Sequence, residues 1–183
     1  MEALSKILRI SLALTLLLVG TSLLAQEEAP KLVTFKIRNA GVNVSGTFDS
    51  YEVKGQFDEN DLGHSRFEVS IDVSTIDTGI GARDKHLKKA KYFDVENYPQ
   101  ITFKSTGFLK TDTGYIVKGQ LTIKATTREV KMSFQSVKQD SGTMVLKGEL
   151  TLDRRDYGVG KNHLILGDEV RIAVNYEYQP KGS

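Results

Sequence analysis

The residues best suited to chemistry lie in one short stretch: Arg83, Asp84 and His86, followed by Asp94 and Glu96. A histidine near carboxylates can act as a general acid and base, or can bind a metal ion. The spacing matches no zinc-binding pattern, and the other two histidines of the chain are distant in sequence. We therefore predict no metal site and interpret the first three residues as a structural polar network. A catalytic role for them is the alternative.

Other signatures of catalysis are absent from the sequence. The chain has no Gly-x-Ser-x-Gly nucleophile motif, no phosphate-binding loop and no dinucleotide fingerprint. The sequence therefore predicts neither an enzyme nor a bound cofactor.

The same stretch is rich in lysine, with Lys85, Lys88, Lys89 and Lys91 close to Arg83. Such a cluster is typical of a solvated helix face. The alternative is a surface that makes transient contact with an anionic membrane or a phosphate headgroup, to which Arg154 and Arg155 would add.

Composition excludes several classes of protein. The formal net charge of +2 provides no broad basic field, so we expect no nucleic-acid partner. Without cysteine, the chain has neither disulfides nor a lipid-modified N-terminal cysteine. A chain of 183 residues is long enough for one domain with a full core.

The N-terminus is typical of a secretory signal peptide. Lys6 and Arg9 precede an apolar run over residues 10–19, and small residues follow up to Ala25. We predict cleavage near Ala25, a single domain over residues 26–183, and a periplasmic or secreted location. An uncleaved membrane anchor is the alternative.

The secondary structure that positions Arg83, Asp84 and His86 is predicted to consist mainly of β-strands. From Lys31 onward apolar and polar residues alternate, and turn residues interrupt the alternation about every ten positions. Short polar links between strands indicate an antiparallel meander, which can close into a barrel and so remove exposed sheet edges. We predict an all-β barrel of about eight strands. The one exception is the insertion at residues 74–99, where residues 82–90 are predicted to form a short helix.

Four glycines share the inward parity of the apolar residues: Gly46, Gly55, Gly119 and Gly148. Glycine inside a strand costs about 0.5–1 kcal/mol relative to alanine, so these positions indicate a geometric gain. Either they bend the strands or they leave space for a ligand or a neighbouring backbone. A barrel of this size can be packed or can hold one small molecule. We favour the hollow barrel, and a filled barrel is the alternative.

The predicted lining of the hollow interior is apolar, which would select an apolar ligand. The predicted ligand-binding residues are Phe35, Ile37, Val44, Phe48, Phe57, Val69, Ile71, Phe93, Phe103, Leu121, Ile123, Phe134, Leu150 and Val174.

Two stretches of the sequence are recognisable: residues 83–87 read RDKHL, and residues 92–105 read YFDVENYPQITFKS. Three further segments flank them: IDVSTIDTG at 71–79, GQLTIKATT at 119–127 and RDYGVG at 155–160. In these segments and in their order, the sequence resembles the YceI-like family of lipid-binding proteins.

The resemblance implies a lipocalin-like barrel in the bacterial cell envelope that binds polyisoprenoids, isoprenoid quinones or similar amphiphiles, without catalytic residues. From it we expect an exported protein that encloses one long apolar chain for carriage or storage. The alternatives are an envelope enzyme that acts through Arg83, Asp84 and His86, and a ligand-free, stress-related interaction module. The sequence leaves a homodimer open.

Overall fold

The computed structural model of the chain describes residues 31–140, 142–162 and 164–178. The predicted signal peptide and its cleavage site lie outside these ranges. The described part contains ten β-strands: β1 (Val33–Asn39), β2 (Val42–Phe48), β3 (Tyr51–Gln56), β4 (Arg66–Asp72), β5 (Ile76–Asp77), β6 (Gln100–Thr111), β7 (Gly114–Ile123), β8 (Thr126–Lys138), β9 (Met144–Asp153) and β10 (Leu166–Tyr178).

The period-two alternation of the sequence becomes an inner and an outer face. In β7, Tyr115, Val117, Leu121 and Ile123 are buried, whereas the residues between them are more exposed or are glycine. Successive side chains of a strand point to opposite faces, so one face collects the apolar residues and the other meets water.

All ten strands form one antiparallel sheet in the order β3-β4-β6-β7-β8-β9-β10-β1-β2-β5. Only two residues separate β2 from β3, and a 3-10 turn at Val73–Thr75 separates β4 from β5. Because β3 pairs with β4 and β2 pairs with β5, these two bent segments remain side by side and the sheet curls back to its start.

The predicted all-β meander barrel is confirmed, but it has ten strands and not about eight. The difference arises because each of the two bends divides a continuous segment into two strands. The Thr75 hydroxyl fixes both bends, since it accepts hydrogen bonds from the backbone N–H groups of Asp49 (3.2 Å) and Ser50 (3.1 Å). It also donates to the Asp72 carbonyl oxygen at 2.6 Å.

The predicted helix is present in the insertion as α1 (Gly81–Leu87). It ends earlier than the sequence pattern suggested, and turns follow it. The Phe93 N–H donates to the Leu87 carbonyl oxygen at 3.0 Å, and the Val95 N–H donates to the Lys88 carbonyl oxygen at 3.1 Å. These bonds fold the chain back beneath α1, so that Phe93 faces the barrel core.

The strand register separates the connections into two groups at opposite ends of the barrel. The mouth end, which carries α1, comprises residues 40–41, 78–99, 124–125, 154–162 and 164–165. The aromatic end comprises residues 57–65, 112–113, 139–140 and 142–143.

Buried aromatic side chains fill the barrel at the aromatic end. The Phe57 ring packs edge-on against Tyr115 at a centroid distance of 5.0 Å and against Phe134 at 5.1 Å. Phe67 and Phe108 complete the cluster, with ring centroids 6.0 Å apart. Edge-to-face pairs of this kind add about 0.5–1.5 kcal/mol each beyond the area they bury. The filled-barrel alternative therefore describes this end of the molecule.

Candidate ligand-binding cavity

A cavity of about 280 Å³ lies inside the barrel. It extends from Phe67 and Phe108 of the aromatic cluster to Leu87 of α1, and all strands except β5 contribute to its wall. Its volume is close to the lower end of the range of about 300–1,000 Å³ that is typical of small-molecule pockets. The barrel is thus packed at one end and hollow towards the other.

Thirteen of the fourteen predicted ligand-binding residues lie on the cavity wall. They are Phe35, Ile37, Val44, Phe48, Val69, Ile71, Phe93, Phe103, Leu121, Ile123, Phe134, Leu150 and Val174. Their role in binding a ligand remains a prediction, although their position follows directly from the alternation of each strand.

The placement of Phe57 in the lining was wrong. Phe57 follows the last residue of β3 and belongs to the aromatic cluster, where it is 5% exposed. Gly55, two residues earlier, has a φ of +129°, and a Cβ there would lie 2.0 Å from the Arg66 carbonyl oxygen. Gly55 therefore lies against the backbone of the neighbouring strand. Phe57 points into the barrel as its parity predicts, but at the end that aromatic rings fill, so it closes that end and does not line the cavity.

Two inward glycines each hold a phenylalanine ring against the barrel wall. A Cβ on Gly46 would lie 2.4 Å from Cζ of Phe35, and a Cβ on Gly119 would lie 2.4 Å from Cζ of Phe103. The space left by each missing side chain is therefore occupied by a ring and not by the cavity. Because both rings also line the cavity, these glycines let the rings lie along its wall.

The sequence did not single out many other lining residues. Several alternate regularly in their strands and could have been chosen from the pattern, among them Val117, Val130, Leu146 and Ile172. Others lie outside the strands, where no period-two alternation marks them: Leu32, Leu87, Tyr92, Tyr157 and Val159. The last four reach the cavity because their segments pack over the mouth end, whereas Leu32 directly precedes β1.

Polar side chains reach the cavity wall at the mouth end. Within the described residues these are Asn39, Thr78, Arg83 and Arg154, and the remaining lining is apolar or aromatic. An amphiphile in this cavity would therefore place its polar group at the mouth end and its apolar chain towards the aromatic end.

Thr78 is the centre of a polar network that the sequence assigned to Arg83, Asp84 and His86. Nε of Arg83 donates to the Thr78 hydroxyl at 2.7 Å, and the other end of the guanidinium donates to the Thr78 carbonyl oxygen. Oδ1 of Asp84 accepts hydrogen bonds from the backbone N–H of Thr78 (3.0 Å) and from its hydroxyl. The network thus ties α1 to the segment that follows β5.

His86 does not contribute to this network, which corrects the grouping made from the sequence. Its side chain is exposed, and its ring lies against Tyr92 with a centroid distance of 5.0 Å. On an α-helix, residue 86 lies about 60° from residue 83 but about 160° from residue 84, since successive residues are about 100° apart around the axis. The His86 ring turns to Tyr92 and not to Thr78. Neighbouring positions in the sequence therefore do not converge on one point here.

Arg154 is a buried cation that sequence reasoning placed on the solvated surface. It is 3% exposed and lines the cavity. Its guanidinium donates to the carbonyl oxygens of Val159 (2.8 Å), Lys161 (3.1 Å) and Gly167 (2.9 Å). Nη2 donates to Oδ1 of Asp168 at 2.7 Å, so the buried charge is paired. No periodicity in the sequence distinguishes it from the neighbouring Arg155.

Two ionisable groups near Arg154 have shifted pKa values. Burial raises the pKa of the Tyr157 phenol, so it stays neutral beside the cavity. The hydrogen bond from the Arg155 side chain, supported by one from the Arg155 backbone, lowers the pKa of Asp153. Ionised Asp153 also caps the 3-10 turn at Arg154–Tyr157, because it accepts the Arg155 N–H at 2.8 Å.

Within residues 31–140, 142–162 and 164–178, no group of three or more His, Asp and Glu side chains is arranged to hold a metal ion. Over the same ranges, no helix has the length and apolar character needed to cross a membrane.

Comparison with known sequences relates the chain to a protein family. The YceI-like domain model matches residues 26–178. A UPF0312 protein of Serratia proteamaculans is 32% identical over 130 residues, which cover 68% of each chain. A UPF0312 protein of Pectobacterium carotovorum is 29% identical over 169 residues, which cover 86% of this chain and 88% of the relative.

Solved structures show the same architecture. BcnA of Burkholderia cenocepacia superposes with a TM-score of 0.75 at 26% identity, over 80% of this chain and 95% of BcnA. A domain from Saccharophagus degradans, described as a polyisoprenoid binding domain, superposes with a TM-score of 0.62 at 15% identity. That match covers 81% of this chain and 93% of the domain, and it shows the shared fold.

Proposed function

Because the chain belongs to the YceI-like family, we propose that it encloses one long apolar chain in its barrel for carriage or storage. The candidates are a polyisoprenoid, an isoprenoid quinone or a fatty-acid-like amphiphile. The cavity is the observation that carries the proposal, since its wall is apolar except at the mouth end. The fold that it shares with a polyisoprenoid binding domain is the reason for naming an isoprenoid first.

Burial of the ligand supplies the affinity. Removing about 500 Å² of apolar ligand surface from water gains about 12 kcal/mol at ~25 cal/mol per Å², before ordering costs are subtracted. That gain is sufficient without a polar anchor. A cavity with few polar groups selects its ligand by length and width.

The proposal is a binding role and not catalysis. Arg83 and Asp84 direct their polar atoms to Thr78, and His86 lies outside that network on the exposed surface. An enzyme acting through this group would lose turnover when His86 is replaced by alanine. We expect His86→Ala to bind the same lipid in the same amount as the unmodified chain.

Export is part of the proposal and rests on the sequence of residues 1–25. We expect the protein in the periplasm of a Gram-negative host, with a mature N-terminus near Gln26. N-terminal sequencing of the protein from a periplasmic extract tests this. Recovery of the full-length chain in the membrane fraction would indicate an uncleaved anchor instead.

Mass spectrometry of an organic extract of the natively purified protein tests the ligand. We expect one lipid class at close to one molecule per chain. A matched pair of variants makes the test specific. Leu150→Trp adds bulk inside the cavity and should remove most of the bound lipid, whereas Leu109→Trp lies on the exposed outer face and should leave it unchanged. If no lipid is extracted and added prenyl chains do not bind, the proposal is wrong.

A further inference from the structure

Three exposed apolar side chains form a rim at the mouth end. Val42 is 66% exposed, Ile165 is 55% exposed and Leu164 is fully exposed. The Ala40 N–H donates to the Ile165 carbonyl oxygen at 2.7 Å, so the β1–β2 turn and the segment before β10 are in contact. We call Val42, Leu164 and Ile165 the apolar rim.

The apolar rim adjoins the wall of the cavity. Asn39 pairs with both Val42 and Leu166, and Asn39 and Leu166 line the cavity. Val42 has the same parity as Val44 and Phe48, which line the cavity, but it lies beyond the last part of the wall. Because aromatic side chains fill the opposite end, a long apolar chain bound in the cavity would enter and leave at the mouth end, beside this rim.

The two ends of the barrel differ in charge. The connections at the mouth end contain nine Lys and Arg residues against four carboxylates. The connections at the aromatic end contain no Lys or Arg, and their five carboxylates are Asp58, Glu59, Asp61, Asp112 and Asp140. A protein with little net charge is thereby polarised along its axis, and a negatively charged surface attracts the mouth end.

Several cations of the mouth end are exposed to solvent. Arg38 and Lys161 flank the rim in sequence, and Lys85 and Lys89 lie on and just after α1. Among the described residues, none of these four lies within ion-pair distance of a carboxylate. Two carboxylates of this end are engaged elsewhere: Asp84 bonds to Thr78, and Asp168 pairs with Arg154 and Arg155.

We propose that the mouth end docks on the surface of an anionic phospholipid bilayer, with the apolar rim inserted among the lipid headgroups. Basic residues around exposed apolar side chains are the combination that binds such interfaces. This geometry places the cavity mouth against the bilayer, so a lipid chain passes between the two without crossing water. The inference rests on the proposed function for its purpose, but docking is measured independently of the bound lipid.

A single-tryptophan reporter tests the orientation of docking. The chain contains no tryptophan, so one introduced residue reports without background. We expect the emission of Leu164→Trp to shift to shorter wavelength on vesicles of phosphatidylcholine mixed with phosphatidylglycerol, and to stay unchanged on phosphatidylcholine alone. Leu109→Trp, which is exposed on the strand that leads to the aromatic end, should show no shift on either. Equal shifts for the two variants, or no shift for Leu164→Trp, would overturn the proposal.

Vesicle co-sedimentation measures what each part of the surface contributes. We expect Val42→Ser/Leu164→Ser/Ile165→Ser to weaken partitioning onto anionic vesicles by about tenfold or more. Lys85→Glu/Lys89→Glu/Lys161→Glu should weaken it by about a hundredfold at low salt. The control Lys110→Glu/Lys138→Glu/Lys147→Glu changes the net charge equally but away from the mouth, and it should weaken partitioning much less. Equal losses in both charge variants would show that net charge, and not this surface, drives binding.

The same samples separate this inference from the proposed function. If lipid is extracted from the unmodified protein but no variant affects vesicle binding, docking is wrong and lipid binding stands. If docking follows the expected pattern but the cavity yields no lipid and binds none, the proposed function fails and the docking surface stands.

Discussion

The buried Arg154 forms an ion pair with the partly exposed Asp168 across the junction of β9 and β10, with Nη2 of Arg154 2.7 Å from Oδ1 of Asp168. The same guanidinium donates to the carbonyl oxygens of Val159 and Lys161 in the segment that covers the mouth end, and to that of Gly167 in β10. A charge in this position is tolerated only because both its ionic and its hydrogen-bonding partners are supplied. The pair therefore fixes the segment carrying Tyr157 and Val159 over the cavity.

We expect Arg154→Met to lower the free energy of unfolding by about 3–5 kcal/mol, because it leaves buried carbonyl oxygens without a donor. Urea unfolding followed by circular dichroism measures the change. The control is Arg171→Met, which removes an exposed ion pair to Glu169 of 3.0 Å and should cost about 1 kcal/mol or less. Similar losses in the two variants would show that the buried arginine has no special structural role.

A substitution at Gly119 tests how closely the Phe103 ring packs against the barrel wall. A Cβ at this position would lie 2.4 Å from the Phe103 ring and 2.6 Å from the Lys104 carbonyl oxygen. Since backbone atoms cannot move aside cheaply, we expect Gly119→Ala to destabilise the fold by about 1–3 kcal/mol. Gly107→Ala is the matched control, because nothing lies within 4 Å of its Cβ position, and thermal unfolding should show little change. A neutral Gly119→Ala would contradict the close packing.

Substitutions at Thr78 and His86 test whether the polar network is centred on Thr78, as observed, or includes His86, as the sequence suggested. Thr78→Val keeps the shape of the side chain but removes the hydroxyl that bonds to Arg83 and Asp84, and we expect a loss of about 1–3 kcal/mol. His86→Ala removes an exposed ring and should change the unfolding free energy by less than about 0.5 kcal/mol. Hydrogen exchange should show faster opening of α1 only in Thr78→Val. Faster opening in His86→Ala instead would restore the original grouping.

Asp153 gives the protein a pH-dependent contribution to stability. Its pKa is lowered in the folded state, chiefly by the Arg155 side chain, so the ionised form is stabilised by folding. This contribution to stability is fully present above the pKa of Asp153 in the unfolded chain, which is about 4, and it is lost as pH falls through the lower pKa of the folded state. We expect the difference in unfolding free energy between the unmodified chain and Asp153→Asn to be about 1 kcal/mol or less at pH 7, because the pair is partly exposed. The difference should shrink in acid, and one that grows in acid would contradict the sign of the shift.

Local properties of the sequence were predicted well. The inward positions of Val69, Leu121 and Val174 follow from alternation, since the two faces of a strand are fixed by its own geometry. The helix in the insertion was predicted for the same reason, because the composition of its residues is a local signal. The apolar character of the cavity required nothing beyond these assignments.

Properties that depend on contacts between residues distant in sequence could not be predicted from the sequence. Phe57, Arg154 and His86 were misplaced because burial and convergence depend on how turns and segments fold over the barrel ends, which no period encodes. The role of the inward glycines could not be predicted either. Only the register of the neighbouring strands shows that the rings of Phe35 and Phe103 occupy the space beside Gly46 and Gly119. The sequence by itself determined a β-barrel with an apolar interior, because side-chain parity is a property of each strand. The tertiary structure decided which end is packed, which is hollow and where the charges lie, because these depend on segments that meet only after folding.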